Sequence, residues 1–155
     1  PDPTDTYGRT KLIGETINDN CLTLRTSLVG HELLTKNGLL EWFLSQKHEC
    51  TGFKNALFSG FTTIAFAKII ETILTNKQEL KGLYHVSSNI ISKYDFLKKI
   101  NQVYNRGIKI NEDQSFKINR SLKSSALREK IKYKVETWDY MIKEMFRQRF
   151  LYVQK

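Results

Sequence analysis

The chain has 155 residues, 40% of them apolar and 26% charged, and 25 Lys+Arg against 16 Asp+Glu give a net charge of +9. That composition fits a single folded domain able to bury a core and excludes a disordered segment. Two cysteines, Cys21 and Cys50, exclude a disulfide framework and a Cys-rich zinc site, and no apolar run approaches the roughly 18 residues of a membrane-spanning helix.

The opening Pro1-Asp2-Pro3 lacks an initiator Met and a signal-peptide pattern. It reads as a loop between elements, so the natural polypeptide is expected to start upstream. A helix is predicted from Thr4 to Asn18, with start signals at Pro3, Thr4, Asp5 and Thr6 and an apolar stripe of Leu12, Ile13 and Ile17. Cys21 to Leu28 reads as a strand, with Leu22 and Leu24 alternating against Thr23 and Arg25. Leu39, Leu40, Phe43 and Leu44 mark a short amphipathic helix. His48 to Gly60 reads as irregular or short-stranded.

Phe66, Ile69, Ile70, Ile73 and Leu74 follow the spacing of a core-facing helix. Leu83 to Val86 reads as a short strand. Ser92 with Asp95 opens a further helix whose apolar face is Phe96, Leu97, Ile100, Val103 and Tyr104. Ile108 to Ile110 and Phe116 to Ile118 read as short strands. Arg128, Lys130, Lys132 and Lys134 alternate, as one face of a strand or as a solvated, frayed segment. Thr137 caps a last helix that presents Trp138, Met141, Ile142, Met145 and Phe146. Strands separated by helices predict an α/β fold with parallel pairing, and so few strong strands predict an incomplete sheet.

Tyr7 and Lys11 stand four residues apart, one turn along the same helical face. An ammonium there favours the tyrosinate and suits the phenol to acid/base work on a carbonyl or alcohol. Chance also produces such pairs, and Tyr94 with Lys98 is a second, read as a surface pair at a helix start. His31, His48 and His85 are too far apart for a local metal motif, and His48 with Cys50 supplies only two ligands, so no metal site is expected. Trp42, Trp138 and the Phe residues read as core or near-core positions. Basic residues are scattered along the chain, so charge alone supports a nucleic-acid-binding module only weakly.

The run Tyr7-Gly8-Arg9-Thr10-Lys11-Leu12-Ile13-Gly14-Glu15 resembles the active-site helix of the extended short-chain dehydrogenase/reductases, most of all in the branch of sugar-nucleotide reductases that includes the dTDP-4-dehydrorhamnose reductases. Leu24-Arg25-Thr26-Ser27-Leu28-Val29-Gly30 is similar to the Arg-Thr-Ser segment of that branch. Phe58 to Thr63 leading into Ala67 to Ile70, Gly82 to Ser87, Ser92-Lys93-Tyr94 and Asn119-Arg120-Ser121-Leu122 are also similar, in the same order. The resemblance covers essentially the whole chain. It implies that Tyr7 protonates the sugar carbonyl while hydride arrives from NADPH or NADH, and that Lys11 holds the cofactor ribose. It places Thr26, Ser27 and Leu28 near nicotinamide and sugar. A Trp commonly stands where this chain has Leu28. For Arg120 it implies a contact to the nucleotide diphosphate, with a plain surface arginine as the alternative.

The family's dinucleotide turn is Gly-rich, and Gly8, Gly14, Gly30, Gly38, Gly52, Gly60, Gly82 and Gly107 do not form it. The chain therefore reads as the C-terminal half of a longer cytoplasmic protein whose N-terminal dinucleotide-binding half is absent. The parent is expected to be an NAD(P)-dependent reductase of a keto-deoxysugar nucleotide in cell-surface polysaccharide biosynthesis. An epimerase or dehydratase of the same superfamily, or a non-catalytic binding or regulatory subunit, are the alternatives. The chain alone is expected to be inactive, to hold no cofactor, and to self-associate into homo-oligomers through faces left uncovered. Neither nucleic acid nor membrane is an expected partner.

Overall fold

A computed structural model describes residues 5–152 apart from positions 17, 19, 36 and 78, and only the backbone of 151 and 152. Helix α1 spans Thr6–Ile13 and starts at Asp5, whose carboxylate accepts from the Gly8 amide at 2.6 Å. It ends at Gly14, so it is shorter than the predicted Thr4 to Asn18. None of its residues is buried, and Ile13 is 83% exposed. Among the described residues the stripe expected at Leu12 and Ile13 does not join the core: Leu12 is half-buried and Ile13 exposed. Pro1-Asp2-Pro3, Thr4 and Ile17 lie outside the described residues.

The expected strand from Cys21 to Leu28 is two strands, β1 (Leu22–Arg25) and β2 (Leu28–Val29), separated at Thr26-Ser27. Helix α2 (Leu39–Ser45) follows, then β3 (Glu49–Phe53), β4 (Ala56–Phe58), β5 (Phe61–Thr62) and helix α3 (Thr63–Asn76). Next come β6 (Gly82–His85), β7 (Ile91–Ser92), helix α4 (Lys93–Val103), β8 (Lys109–Asp113) and β9 (Ile118–Arg120). Helices α5 (Ser125–Ile131) and α6 (Trp138–Arg147) and a 3-10 turn (Arg149–Tyr152) close the described chain.

Pairing is mostly parallel: β1 with β6, β2 with β5, β3 with β8, and β4 with β9. The exception is β7, antiparallel to β4. Parallel strands need long crossovers, and the helices supply them. The α/β expectation is met, with the sheet in short pieces.

Hydroxyls start the longer helices. Thr62, Ser92 and Thr137 accept from the amides of Ala65, Asp95 and Tyr140 at 3.3, 3.0 and 3.3 Å. Between these helices and the strands, Phe58, Phe96 and Trp138 pack edge to face, with ring centroids 5.4–5.5 Å apart. Leu97, Ile100, Met141, Ile142 and Met145 close around them, and Leu40 and Phe43 of α2 complete the core.

The basic run is not a strand face but a solvated segment: Lys130, Lys132 and Lys134 are exposed, and α5 ends within the run. Ile131 ends α5 buried, and Lys132 turns left-handed at φ 50° to stop the helix. Arg128 ties this corner to the chain after β6. Its Nε donates to Ser124 Oγ at 2.9 Å and its Nη2 to the Ser87 carbonyl at 2.8 Å. The second Tyr–Lys pair is partly engaged elsewhere, since Lys54 and Lys98 both stand near the Tyr94 ring, at 5.0 and 5.4 Å.

Candidate active-site cleft

The first turn of α1 is fixed by its Asp5 cap and presents Tyr7 outward, 71% exposed. One turn on, Lys11 Nζ lies 5.5 Å from the centre of the Tyr7 ring. After Gly14 the chain bends back, and Glu15 reaches Arg25 at the end of β1. Arg25 Nε donates to Oε1 at 2.6 Å and Nη2 to Oε2 at 2.5 Å. Thr23 Oγ1 donates to the Thr16 carbonyl at 2.6 Å and adds a second tie between β1 and the segment after α1.

Thr26 and Ser27 form the step between β1 and β2. The Ser27 carbonyl accepts from the Phe61 amide at 2.9 Å. This approach requires Gly60, because a Cβ there would lie 2.3 Å from the Ser27 carbonyl oxygen. The far wall comes from β9. Arg120 stands in register with Phe58, and the Leu122 amide donates to the buried Ser59 Oγ at 2.8 Å.

These parts enclose a cleft of about 650 Å³. Tyr7, Lys11, Thr26, Ser27, Leu28 and Arg120, the six residues singled out in the sequence, all line it. The volume lies within the roughly 300–1,000 Å³ range of small-molecule sites. Glu15, Thr23, Leu24, Arg25 and Leu122 also line the cleft, and the sequence assigned them no role. The signal for Glu15 was its spacing of four from Lys11 and eight from Tyr7.

Three cations, Lys11, Arg25 and Arg120, face one carboxylate, Glu15, which gives the cleft an excess of positive charge suited to a phosphorylated ligand. The hydrogen bonds from Arg25 hold the Glu15 carboxyl below its ordinary range, and the same bonds raise the Arg25 guanidinium. The donor set of Lys11 ammonium, Tyr7 phenol and the Thr26 and Ser27 hydroxyls fits the hydroxyls of a ribose. The turn that cradles a pyrophosphate is not supplied by this chain's glycines. Among the described residues no group of three or more His, Cys, Asp or Glu could hold a metal ion. No helix among them is long and apolar enough to cross a membrane.

No protein-family model and no curated protein matches the sequence. Solved structures do. A dTDP-4-dehydrorhamnose reductase from Bacillus anthracis in complex with NADP aligns over 96% of this chain, with TM-score 0.80 and 20% identity. The chain has the fold of these enzymes. A reductase of the same kind from Clostridium acetobutylicum aligns over 96% with TM-score 0.78 and 20% identity. The UDP-N-acetylglucosamine 4-epimerase from Bacillus cereus aligns over 92% with TM-score 0.64 and 18% identity. The chain covers 56%, 57% and 51% of these three structures, little more than half of their length.

Proposed function

We propose that this chain is the C-terminal, catalytic-helix portion of an NAD(P)-dependent reductase acting on a keto-deoxysugar nucleotide. The observation that carries this reading is the single cleft in which the Tyr7–Lys11 pair faces Thr26, Ser27, Leu28 and Arg120. The reductase fold supports it. An N-terminal dinucleotide-binding half, which this chain does not include, completes the site. The product serves cell-surface polysaccharide synthesis in the cytoplasm.

In this mechanism the nicotinamide, when bound, supplies hydride to the sugar carbonyl carbon. Tyr7 gives its phenolic proton to the carbonyl oxygen, and the product is the alcohol. The Lys11 ammonium stabilises the tyrosinate left behind and hydrogen-bonds the cofactor ribose. Ser27 and Thr26 orient the sugar, and Leu28 supplies an apolar wall, 48% exposed, ready to be covered by ligand. Arg120 draws the nucleotide diphosphate to the far wall.

The test is NAD(P)H oxidation by the full-length protein with a 4-keto-deoxysugar nucleotide. Tyr7→Phe is expected to lower kcat by about 10²–10⁴-fold with a small change in KM. Unchanged turnover removes the acid/base role. The likeness to the 4-epimerase favours a second reading in which the same pair serves a reaction with no net cofactor consumption. Sugar-nucleotide interconversion without NAD(P)H loss would select it. An absence of both activities, with a retained protein partner, would point to a binding subunit.

A further inference from the structure

A second cavity, of about 320 Å³, lies where α3, α6 and the segment joining α5 to α6 meet. It shares no lining residue with the Tyr7–Lys11 cleft. Phe61, Ile69, Ile131 and Met141 give it buried apolar surface. The end of α5 builds its polar side. Lys132 turns left-handed there, and Lys132, Tyr133, Lys134 and Glu136 of the following segment all line the cavity. The Tyr133 hydroxyl is fixed, 3.3 Å from Ser124 Oγ and 3.4 Å from the Ser87 carbonyl. Tyr140 enters from α6, with Lys68 Nζ of α3 5.5 Å from the centre of its ring.

Three ammonium groups, on Lys68, Lys132 and Lys134, therefore share the cavity with the half-buried carboxylate of Glu136. None of the four is in an ion pair among the described residues. Lys54 and Lys99, by contrast, are bound to Asp95 and Asp139. Three against one leaves two positive charges in surplus beside apolar and aromatic walls. A phosphate monoester carries about −1.5 to −2 at pH 7 and matches that surplus. The two tyrosine rings and the apolar surface suit an aromatic body attached to it. Glu136 only accepts hydrogen bonds, so it suits a ligand with an amine or hydroxyl away from the phosphate.

We propose that this cavity is a second ligand site, separate from the catalytic cleft, for an aromatic phosphate monoester. The reductase reading is not needed for it. The experiment is equilibrium dialysis of the full-length protein against 2-naphthyl phosphate, with 2-naphthol and inorganic phosphate as the two halves of the ligand. Naphthyl phosphate is expected to bind with Kd below about 1 mM, at least tenfold tighter than either half. Adenosine monophosphate binding more tightly still would assign the site to a nucleotide, and binding more weakly to a simple aryl phosphate; both keep the class. Lys132→Asn combined with Lys134→Gln is expected to weaken naphthyl phosphate about tenfold or more. Asn tolerates the left-handed turn, so this pair removes charge and keeps the end of α5. Thr72→Trp, at an exposed lining position on α3, is expected to fill the cavity and abolish binding. Arg120→Gln, in the other cavity, leaves binding unchanged. No binding at about 1 mM overturns the proposal. So does naphthol or inorganic phosphate binding as well as the ester, or loss of binding in Arg120→Gln with retention in the lysine pair. Should Thr72→Trp not fold, the lysine pair and Arg120→Gln decide between the two cavities.

Discussion

Glu15 ties its own ionisation to the folded state. Its carboxyl is held low by Arg25 in the native protein, whereas in the unfolded chain it returns to the ordinary carboxylate range. A depressed native value contributes stability that is present above the unfolded pKa and is lost as pH falls through the native one. Wild type is therefore expected to melt higher than Glu15→Gln at pH 6, and the gap is expected to close toward pH 3. A gap that persists in acid would assign the effect to packing. This fork was illegible in the sequence because its two residues are ten positions apart, on either side of a chain reversal. Helical spacing puts Tyr7 and Lys11 on one face, but Tyr94 and Lys98 have the same spacing, and only the family resemblance told the two pairs apart. Thr26, Ser27, Leu28 and Arg120 were legible only through the family resemblance, since a strand end carries no periodic signal of its own.

At the scale of elements, the helices with a continuous apolar stripe were readable and the short strands were not. The helices α3, α4 and α6 follow the 3.6-residue pattern and begin at the Thr and Ser caps that their sequences advertise. Strands β2, β5 and β7 are two residues long, too short for alternation to register. Helix α5 was hidden by alternating cations, although Leu127 and Ile131, four apart, are both buried. The helix stripes converge on Trp138, whose ring packs against Phe58 and Phe96 while its Nε1 donates to the Asn89 carbonyl at 2.8 Å. Trp138→Ala leaves a cavity and removes one of the two donors to the Asn89 carbonyl. It is expected to cost about 3–5 kcal/mol, read from chemical denaturation. A loss below about 1 kcal/mol would mean that α6 is not pinned at this point.

For the whole molecule, the question is what this chain does unaided. On the function proposed above, its cleft supplies cations and hydroxyls to one end of a dinucleotide, and its glycines do not form the Gly-rich turn for the pyrophosphate. Calorimetry with NADPH is expected to give no tight binding to the 155-residue chain, and a micromolar Kd would contradict the proposed division into halves. The chain covers 56% and 57% of the two reductase structures it resembles. The net charge of +9 is dispersed, and part of it is committed to architecture. Arg25 binds Glu15, Lys54 binds Asp95, Lys99 binds Asp139, and Arg128 holds the carbonyl of Ser87.

Helix α1 combines two facts that pull apart: it carries Tyr7 and Lys11, and it buries none of its own side chains. An eight-residue helix without packing is marginal in water. Its cap and the Glu15–Arg25 fork hold its two ends, while the core around Phe96 and Trp138 holds everything else. The cooperative unfolding of the chain therefore reports the core and the Glu15–Arg25 fork, and is almost blind to the turn that carries Tyr7 and Lys11. A variant that keeps the fork can keep an ordinary melting curve while Tyr7 and Lys11 are disordered, so thermal stability is no proxy for the order of the proposed site.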